Sequence, residues 1–184
     1  YNFGDVDFLV SQGVKAIKIA SGQMVETPFL EHASGAGVPL IVSTGMCSLA
    51  ESREGVDAIR GAGNPPLVVL QCTTNYPSTI DDANLRAMVT LRDELGVLAG
   101  YSDHTETDYA ALASVALGAV VIEKHFTLDK ALPGPDHTSS CDPSELAHLI
   151  EGIRAVESAL GNPEKVPTER KSRNIEGMRR SVVS

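Results

Sequence analysis

The chain has 184 residues, 42% of them hydrophobic, which suits one globular unit with a core of its own. A formal net charge of −9 and an aromatic content of 4% argue against nucleic acid as a partner, since both the basic surface and the base-stacking platform are missing. No apolar run approaches the roughly 20 residues of a membrane-spanning helix. Cys47, Cys72 and Cys141 are odd in number, far apart and without a C-x-x-C pair, which points to a reducing, cytoplasmic setting. No signal-peptide pattern opens the chain. Its first residue is Tyr1 rather than Met, as expected of a fragment or processed piece.

Short β-rich runs alternate with longer amphipathic stretches. Strands are predicted at Ala16–Ala20, Leu40–Ser43, Leu67–Cys72, Val97–Tyr101 and Ala119–Lys124. These runs are nearly all apolar, as parallel strands covered on both faces should be. Ser48 with Glu51 forms a capping-box pattern that opens one helix. Asp142, Pro143 and Glu145 place a cap, a first-turn proline and an acidic third position before another. Gly35, Gly37, Gly61, Gly63, Gly96 and Gly118 stand where helices should stop. They precede strands, whereas a dinucleotide fingerprint follows one. The β/α repeat fits either an open doubly wound sheet or most of a (β/α)8 barrel. A complete barrel takes ~250 residues, so this chain is short by about three units. Basic residues gather at Lys165, Arg170, Lys171, Arg173, Arg179 and Arg180, which reads as a solvated tail or linker.

Polar residues collect at the C-terminal end of every predicted strand, the face on which barrels and open α/β sheets bind ligands. Lys18, Ser21, Ser43, Thr73, Thr74 and Ser102 offer an ammonium and small hydroxyls, a set suited to phosphate or carboxylate. The competing reading is hydroxyls that satisfy turn backbone. His104 and His125 end two predicted strands separated by one helix-length segment. A right-handed crossover therefore brings them to the same rim, with Asp103 and Glu123 close by. Such a pair can hold a divalent metal and leave positions open for substrate. The alternative is two hydrogen-bonded core imidazoles. His32 and His148 fall within predicted helices and read as surface or packing residues. The Pro133–His137 loop is either a lid over the site or an irregular crossover. Lys124 raises a Schiff-base reading, but strand alternation points it opposite to Glu123 and His125. Cys72 reads as apolar packing, with a nucleophile as the alternative.

Six segments in order resemble the N-acetylneuraminate (sialic acid) synthase family, which includes legionaminate and pseudaminate synthases and spore-coat polysaccharide proteins. They are Lys18–Gly22 (KIASG), Ile41–Met46 (IVSTGM), Gln71–Pro77 (QCTTNYP), Gly100–Thr105 (GYSDHT), Val121–Thr127 (VIEKHFT) and Pro133–His137 (PGPDH). The resemblance implies a (β/α)8 TIM barrel, here a partial one of about strands 4–8 over residues 1–161. Residues 162–184 would then be a linker toward a C-terminal antifreeze-like domain. It implies condensation of phosphoenolpyruvate with an N-acetylated amino sugar, such as N-acetylmannosamine, to a nine-carbon 2-keto sugar acid and phosphate. It also implies a divalent metal, Mn or Mg, and a homodimer for the full-length parent. Carried over by position, His104 and His125 are metal ligands. Lys18, Ser21, Ser43, Thr74 and Ser102 hold phosphoenolpyruvate; Gln23, Tyr76 and Asp136 face the sugar; Glu123 is an acidic catalytic residue beside the metal. Gln23 stands where sialate synthases carry glutamate, which keeps hydrogen bonding and loses a charge. The isolated chain is expected to be nearly inactive. A non-catalytic binding or assembly module, and a barrel lyase or aldolase using Lys18 or Lys124, are the competing functions.

Overall fold

The computed structural model describes residues 2–167, together with Ser172 and Met178. Five strands form one sheet: β1 (Ile17–Ile19), β2 (Leu40–Ser43), β3 (Leu67–Cys72), β4 (Leu98–Asp103) and β5 (Ile122–Lys124). All adjacent pairs are parallel and the spatial order is β1-β2-β3-β4-β5. A doubly wound sheet reverses its order at a switch point. Here nothing reverses, so right-handed crossovers put every helix on the same face. The fold is therefore a partial (β/α) barrel, and the bare face of the sheet is the barrel interior.

Six α-helices with defined bounds accompany the strands among the described residues: α1 (Phe3–Ser11), α2 (Thr27–Gly35), α3 (Leu49–Ala62), α4 (Leu85–Leu95), α5 (Tyr109–Ala116) and α6 (Pro143–Leu160). The expected capping boxes open α3 (Ser48 with Glu51) and α6 (Asp142 with Glu145), and a third, Asn2 with Asp5, opens α1. Each satisfies first-turn N–H groups that a helix cannot pair internally.

Alternation along the strands sorts side chains between two faces. Ile17, Ile19, Leu40, Val42 and Val69 point outward and join Phe29, Leu30, Val56, Ile59 and Leu91 of the helices in one buried cluster. Burying each such side chain stabilises the fold by about 1.5–3 kcal/mol. The interior face carries Lys18, Ile41, Val68 and Leu98 in one register row. Ile41 and Val68 are half-buried and Leu98 is 57% exposed, as expected where a barrel wall has no opposite wall over it.

β2 and β3 match their predicted bounds. β4 runs two residues past its predicted end because Ser102 and Asp103 find ladder partners in Glu123 and Lys124 of β5. β5 begins three residues later than predicted. It is an edge strand, and its approach is made by single bonds, Val120 N–H to Ala99 O and Tyr101 N–H to Val121 O. Of the proposed linker, 162–184, only residues 162–167 with Ser172 and Met178 are described; the basic residues from Arg170 onward lie outside the described residues and Lys165 lies within them.

Candidate active site

At the C-terminal rim, the interior-facing residues enclose an open cavity of about 420 Å³. Lys18, Ser21, Ser43, Tyr76, Ser102, His104, Glu123, His125 and Asp136 all line it, with Ala20 and Cys72. Nine of the expected site residues thus converge from five strand ends and one loop. Two do not line the cavity. Gln23 sits in a short 3-10 turn (Ser21–Gln23), with its Oε1 buried and without a hydrogen bond among the described residues. Thr74 lies just behind the wall, against the Cα of Gly45.

The floor is a connected polar chain. Ser102 Oγ donates to Glu123 Oε1 at 2.8 Å, and Lys18 Nζ lies 3.5 Å from Glu123 Oε2. Lys18 also donates to the Ile19 carbonyl at 3.1 Å, so two acceptors hold the ammonium at the floor. Ser21 Oγ accepts the Gly45 N–H at 2.9 Å and keeps its own proton to donate. Ser43 Oγ and Thr74 Oγ1 are buried and make no hydrogen bond among the described residues. A buried hydroxyl without a partner costs about 1–3 kcal/mol, a cost that a bound acceptor relieves. A Cβ at Gly45 would fall against Thr74 Oγ1 and 3.0 Å from both Ser21 Oγ and Cys72 Sγ. Glycine is therefore what keeps this hydroxyl cradle open.

The two imidazoles meet edge to face, their centroids 5.0 Å apart. The Tyr76 ring covers both, at 4.2 Å from His104 and 5.3 Å from His125. His104 Nδ1 lies 2.7 Å from the Thr73 carbonyl oxygen. A carbonyl only accepts, so Nδ1 carries the proton and Nε2 keeps its lone pair. Burial pushes the His104 pKa below its ordinary value, against a smaller opposing pull from the Thr73 carbonyl. That shift favours the neutral ring. A neutral imidazole whose second nitrogen is fixed by a carbonyl is the usual form of a metal-ligating histidine. His125 Nδ1 stands 3.6 Å from Asp136 Oδ2. This donor set fits a divalent cation held by two nitrogens. No cluster of three or more histidine, cysteine or acidic side chains suited to a metal occurs among the described residues, so further positions would be left to water or substrate.

Three expectations change. Asp103 is not beside the imidazoles: it lies on the opposite face, wholly buried, with Lys124 Nζ 2.9 Å from its Oδ2. Parity along β4 dictates this, since Ser102 and His104 take the interior. Thr73 offers no hydroxyl to the cavity, because its Oγ1 donates to the Asp82 carbonyl at 2.7 Å; its own carbonyl orients His104 instead. Cys72 is a wall of the cavity rather than plain packing, with its thiol pKa raised by burial. In the sheet it pairs in register with Ser102, another residue of the cavity wall. Lys124 faces away from the cavity, as alternation predicts. His32 bonds Asp7 at 2.7 Å on the surface, and His148 is exposed on α6. The Pro133–His137 loop brings Asp136 to the cavity, while His137 Nδ1 is tied to Thr127 Oγ1 at 2.7 Å.

Comparison with known proteins supplies the context. The N,N'-diacetyllegionaminic acid synthase of Legionella pneumophila is 48% identical over 168 residues, covering 89% of this chain and 47% of that protein. The enzyme of the same name from Campylobacter jejuni is 40% identical over 186 residues, covering 100% of this chain and 56% of that one. The chain spans about half the length of the curated relatives it matches. The crystal structure of N-acetylneuraminic acid synthetase from Leptospira borgpetersenii, in complex with citrate, superimposes with a TM-score of 0.89 at 33% identity over 96% of this chain and 62% of that one. The NeuB family description matches residues 1–165, and on that match this chain belongs to the NeuB family.

Proposed function

We propose that this chain carries the rim chemistry of a synthase that joins phosphoenolpyruvate to an N-acetylated amino sugar. The products are a nine-carbon 2-keto sugar acid and phosphate. The observation that carries the reading is one cavity that combines Lys18, the buried Ser43 hydroxyl that has no hydrogen bond among the described residues, and two adjoining imidazoles. The two relatives named as legionaminic acid synthases support it.

Lys18, Ser21, Ser43, Thr74 and Ser102 bind the phosphate and carboxylate of phosphoenolpyruvate through charge-assisted hydrogen bonds. Gly45 leaves room for that anion. His104 and His125 would hold a divalent metal, Mn or Mg, which supplies Lewis-acid polarisation of an aldehyde oxygen when bound. Tyr76 and Asp136 orient the sugar against the imidazoles. Holding both substrates converts a two-body encounter into a positioned one. Carbon 3 of phosphoenolpyruvate bonds to the aldehyde carbon, and the aldehyde oxygen takes up a proton. Water adds to carbon 2 and gives its proton to Glu123, the carboxylate at the cavity floor. The carbon 2–oxygen bond to phosphate then breaks as the carbon 2 hydroxyl passes its proton to the departing phosphate, leaving the ketone, while the proton held by Glu123 balances the one taken up by the aldehyde oxygen. The full-length parent is proposed to act in the cytoplasm as a homodimer.

Calorimetry with phosphoenolpyruvate and Mn²⁺ tests this on the 184-residue chain, because binding does not require the rest of a barrel to turn over substrate. Both ligands are expected to bind, and Lys18→Ala is expected to weaken phosphoenolpyruvate by about 10–100-fold, the worth of one charge-assisted bond. Failure of both ligands to bind, or borohydride trapping of a covalent adduct on Lys18, would refute the reading.

A further inference from the structure

Behind the two imidazoles, on the outer face of the same strand ends, lies a buried ion pair that touches no part of the cavity. Asp103 is wholly buried and the Lys124 side chain is 6% exposed. Lys124 Nζ donates to Asp103 Oδ2 at 2.9 Å and also to the carbonyl oxygen of Thr105. Asp103 Oδ1 accepts the Thr105 backbone N–H at 3.0 Å. The lysine next to His125 therefore grips the chain on both sides of His104.

The place of this grip matters because the ladder ends there. Asp103 and Lys124 are the last register pair of β4 and β5. Beyond them the two chains part: Thr105 bridges to Ser78, and Phe126 bridges to Cys141. The His104 carbonyl accepts from Ser78 N–H and the His125 carbonyl from Cys141 N–H, and no backbone bond joins 104 to 125 among the described residues. Each ring has its own neighbour, the Thr73 carbonyl for His104 and Asp136 for His125, and Tyr76 lies over both, while the clamp is the last side-chain link between the two strands that carry them. Two charges taken out of water are a costly way to fill space, and a packed apolar pair is often as stable. An apolar pair would lack the directional hold on residues 103 and 105.

We propose that Asp103 and Lys124 are positioning residues that set the spacing at which His104 and His125 take a divalent cation. The inference rests on the metal reading of the imidazole pair given above. It is tested by replacing both partners, Asp103→Asn with Lys124→Met, so that no unpaired charge stays buried. The double variant of the whole chain is compared with the parent by thermal unfolding, Mn²⁺ calorimetry and a metal-free crystal structure.

Cooperative unfolding is expected to persist. The Mn²⁺ Kd is expected to rise about 10–100-fold, as for other groups that orient metal ligands. The ring-centroid separation is expected to change by more than about 0.5 Å, the tolerance of a productive site. An unchanged Mn²⁺ Kd in the double variant overturns the proposal whatever the rings do. If the parent chain itself takes no Mn²⁺, the metal reading falls, and the ring separation alone decides whether the pair positions the imidazoles. Should the double variant fail to fold, Lys124→Arg serves in its place. It keeps the charge and the donors but reaches further, so the same shift in ring separation is expected, and unmoved rings overturn the idea.

Discussion

The outer and inner faces of this sheet share the same strands and divide the labour by parity. Outward residues such as Ile19, Leu40 and Val42 are 0–1% exposed and belong to the apolar cluster shared with the helices. Inward residues one position away, Lys18 and Ser43, line the cavity. The difference teaches that stability and chemistry are carried by alternate residues of one strand. A single substitution can therefore reach either without the other. The Asp103–Lys124 pair is the exception, a charged device on the stabilising face.

The largest expected effect lies on the outer face. Leu40→Ala removes a fully buried side chain from the centre of the helix-facing cluster. It should cost about 2–5 kcal/mol in urea unfolding. Phosphoenolpyruvate and Mn²⁺ should bind the remaining folded fraction with parental affinity. An affinity loss that tracks the stability loss would blur the division. Lys18→Ala is the converse. Its side chain is 33% exposed and faces the cavity rather than the helix layer, so the unfolding free energy should stay within about 0.5 kcal/mol. The roughly 10–100-fold affinity loss expected from the lost charge-assisted bond should appear alone.

Gly45→Ala should break the division. Its added methyl meets Thr74 Oγ1, Ser21 Oγ and Cys72 Sγ. Overpacking of this kind costs about 1–3 kcal/mol. Because the methyl occupies the anion's space, phosphoenolpyruvate binding should fall together with stability, while Mn²⁺ binding at the imidazoles is spared. Equal loss of both ligands would mean that the cradle and the imidazole pair are one rigid unit.

How much of this was legible follows the range of the interactions. β2, β3 and the caps at Ser48 and Asp142 are local patterns, and they appear where the sequence puts them. The end of β4 was misjudged because Ser102 and Asp103 look like loop residues until β5, 21 positions later, supplies their partners. The same parity rule that turned Lys124 away from the cavity applies to Asp103, yet nearness to His104 in the chain suggested nearness in space. The role of Thr73 was out of reach: a backbone carbonyl orients His104, and any residue type has one. The unbonded state of Ser43 and Thr74 was equally invisible, since a hydroxyl's partners depend on packing that composition does not record.

The smallest effect sharpens the comparison by pH. The helix layer on the outer face is capped by carboxylates whose pKa values lie below their ordinary range. Glu51 is lowered by the Ser48 backbone N–H and then the Ser48 hydroxyl. Asp142 is lowered by the Glu145 N–H and then by Ser144. Glu145 is lowered first by Lys130, 2.6 Å away, and then by the Asp142 N–H. A carboxylate with a depressed folded pKa lends stability that is complete above its unfolded value and drains as pH falls through the folded one. With ordinary values of 3.8 for Asp and 4.5 for Glu, the helix layer should begin to loosen only below about pH 4.5. Asp142→Asn keeps the capping geometry and removes the titrating charge. Thermal midpoints measured by circular dichroism from pH 6 down to 3 should therefore fall less steeply in Asp142→Asn than in the parent. Parallel slopes would assign the acid limb to groups other than the α6 cap. Phosphoenolpyruvate affinity at pH 7 should be the same in both proteins, because Asp142 lies outside the cavity.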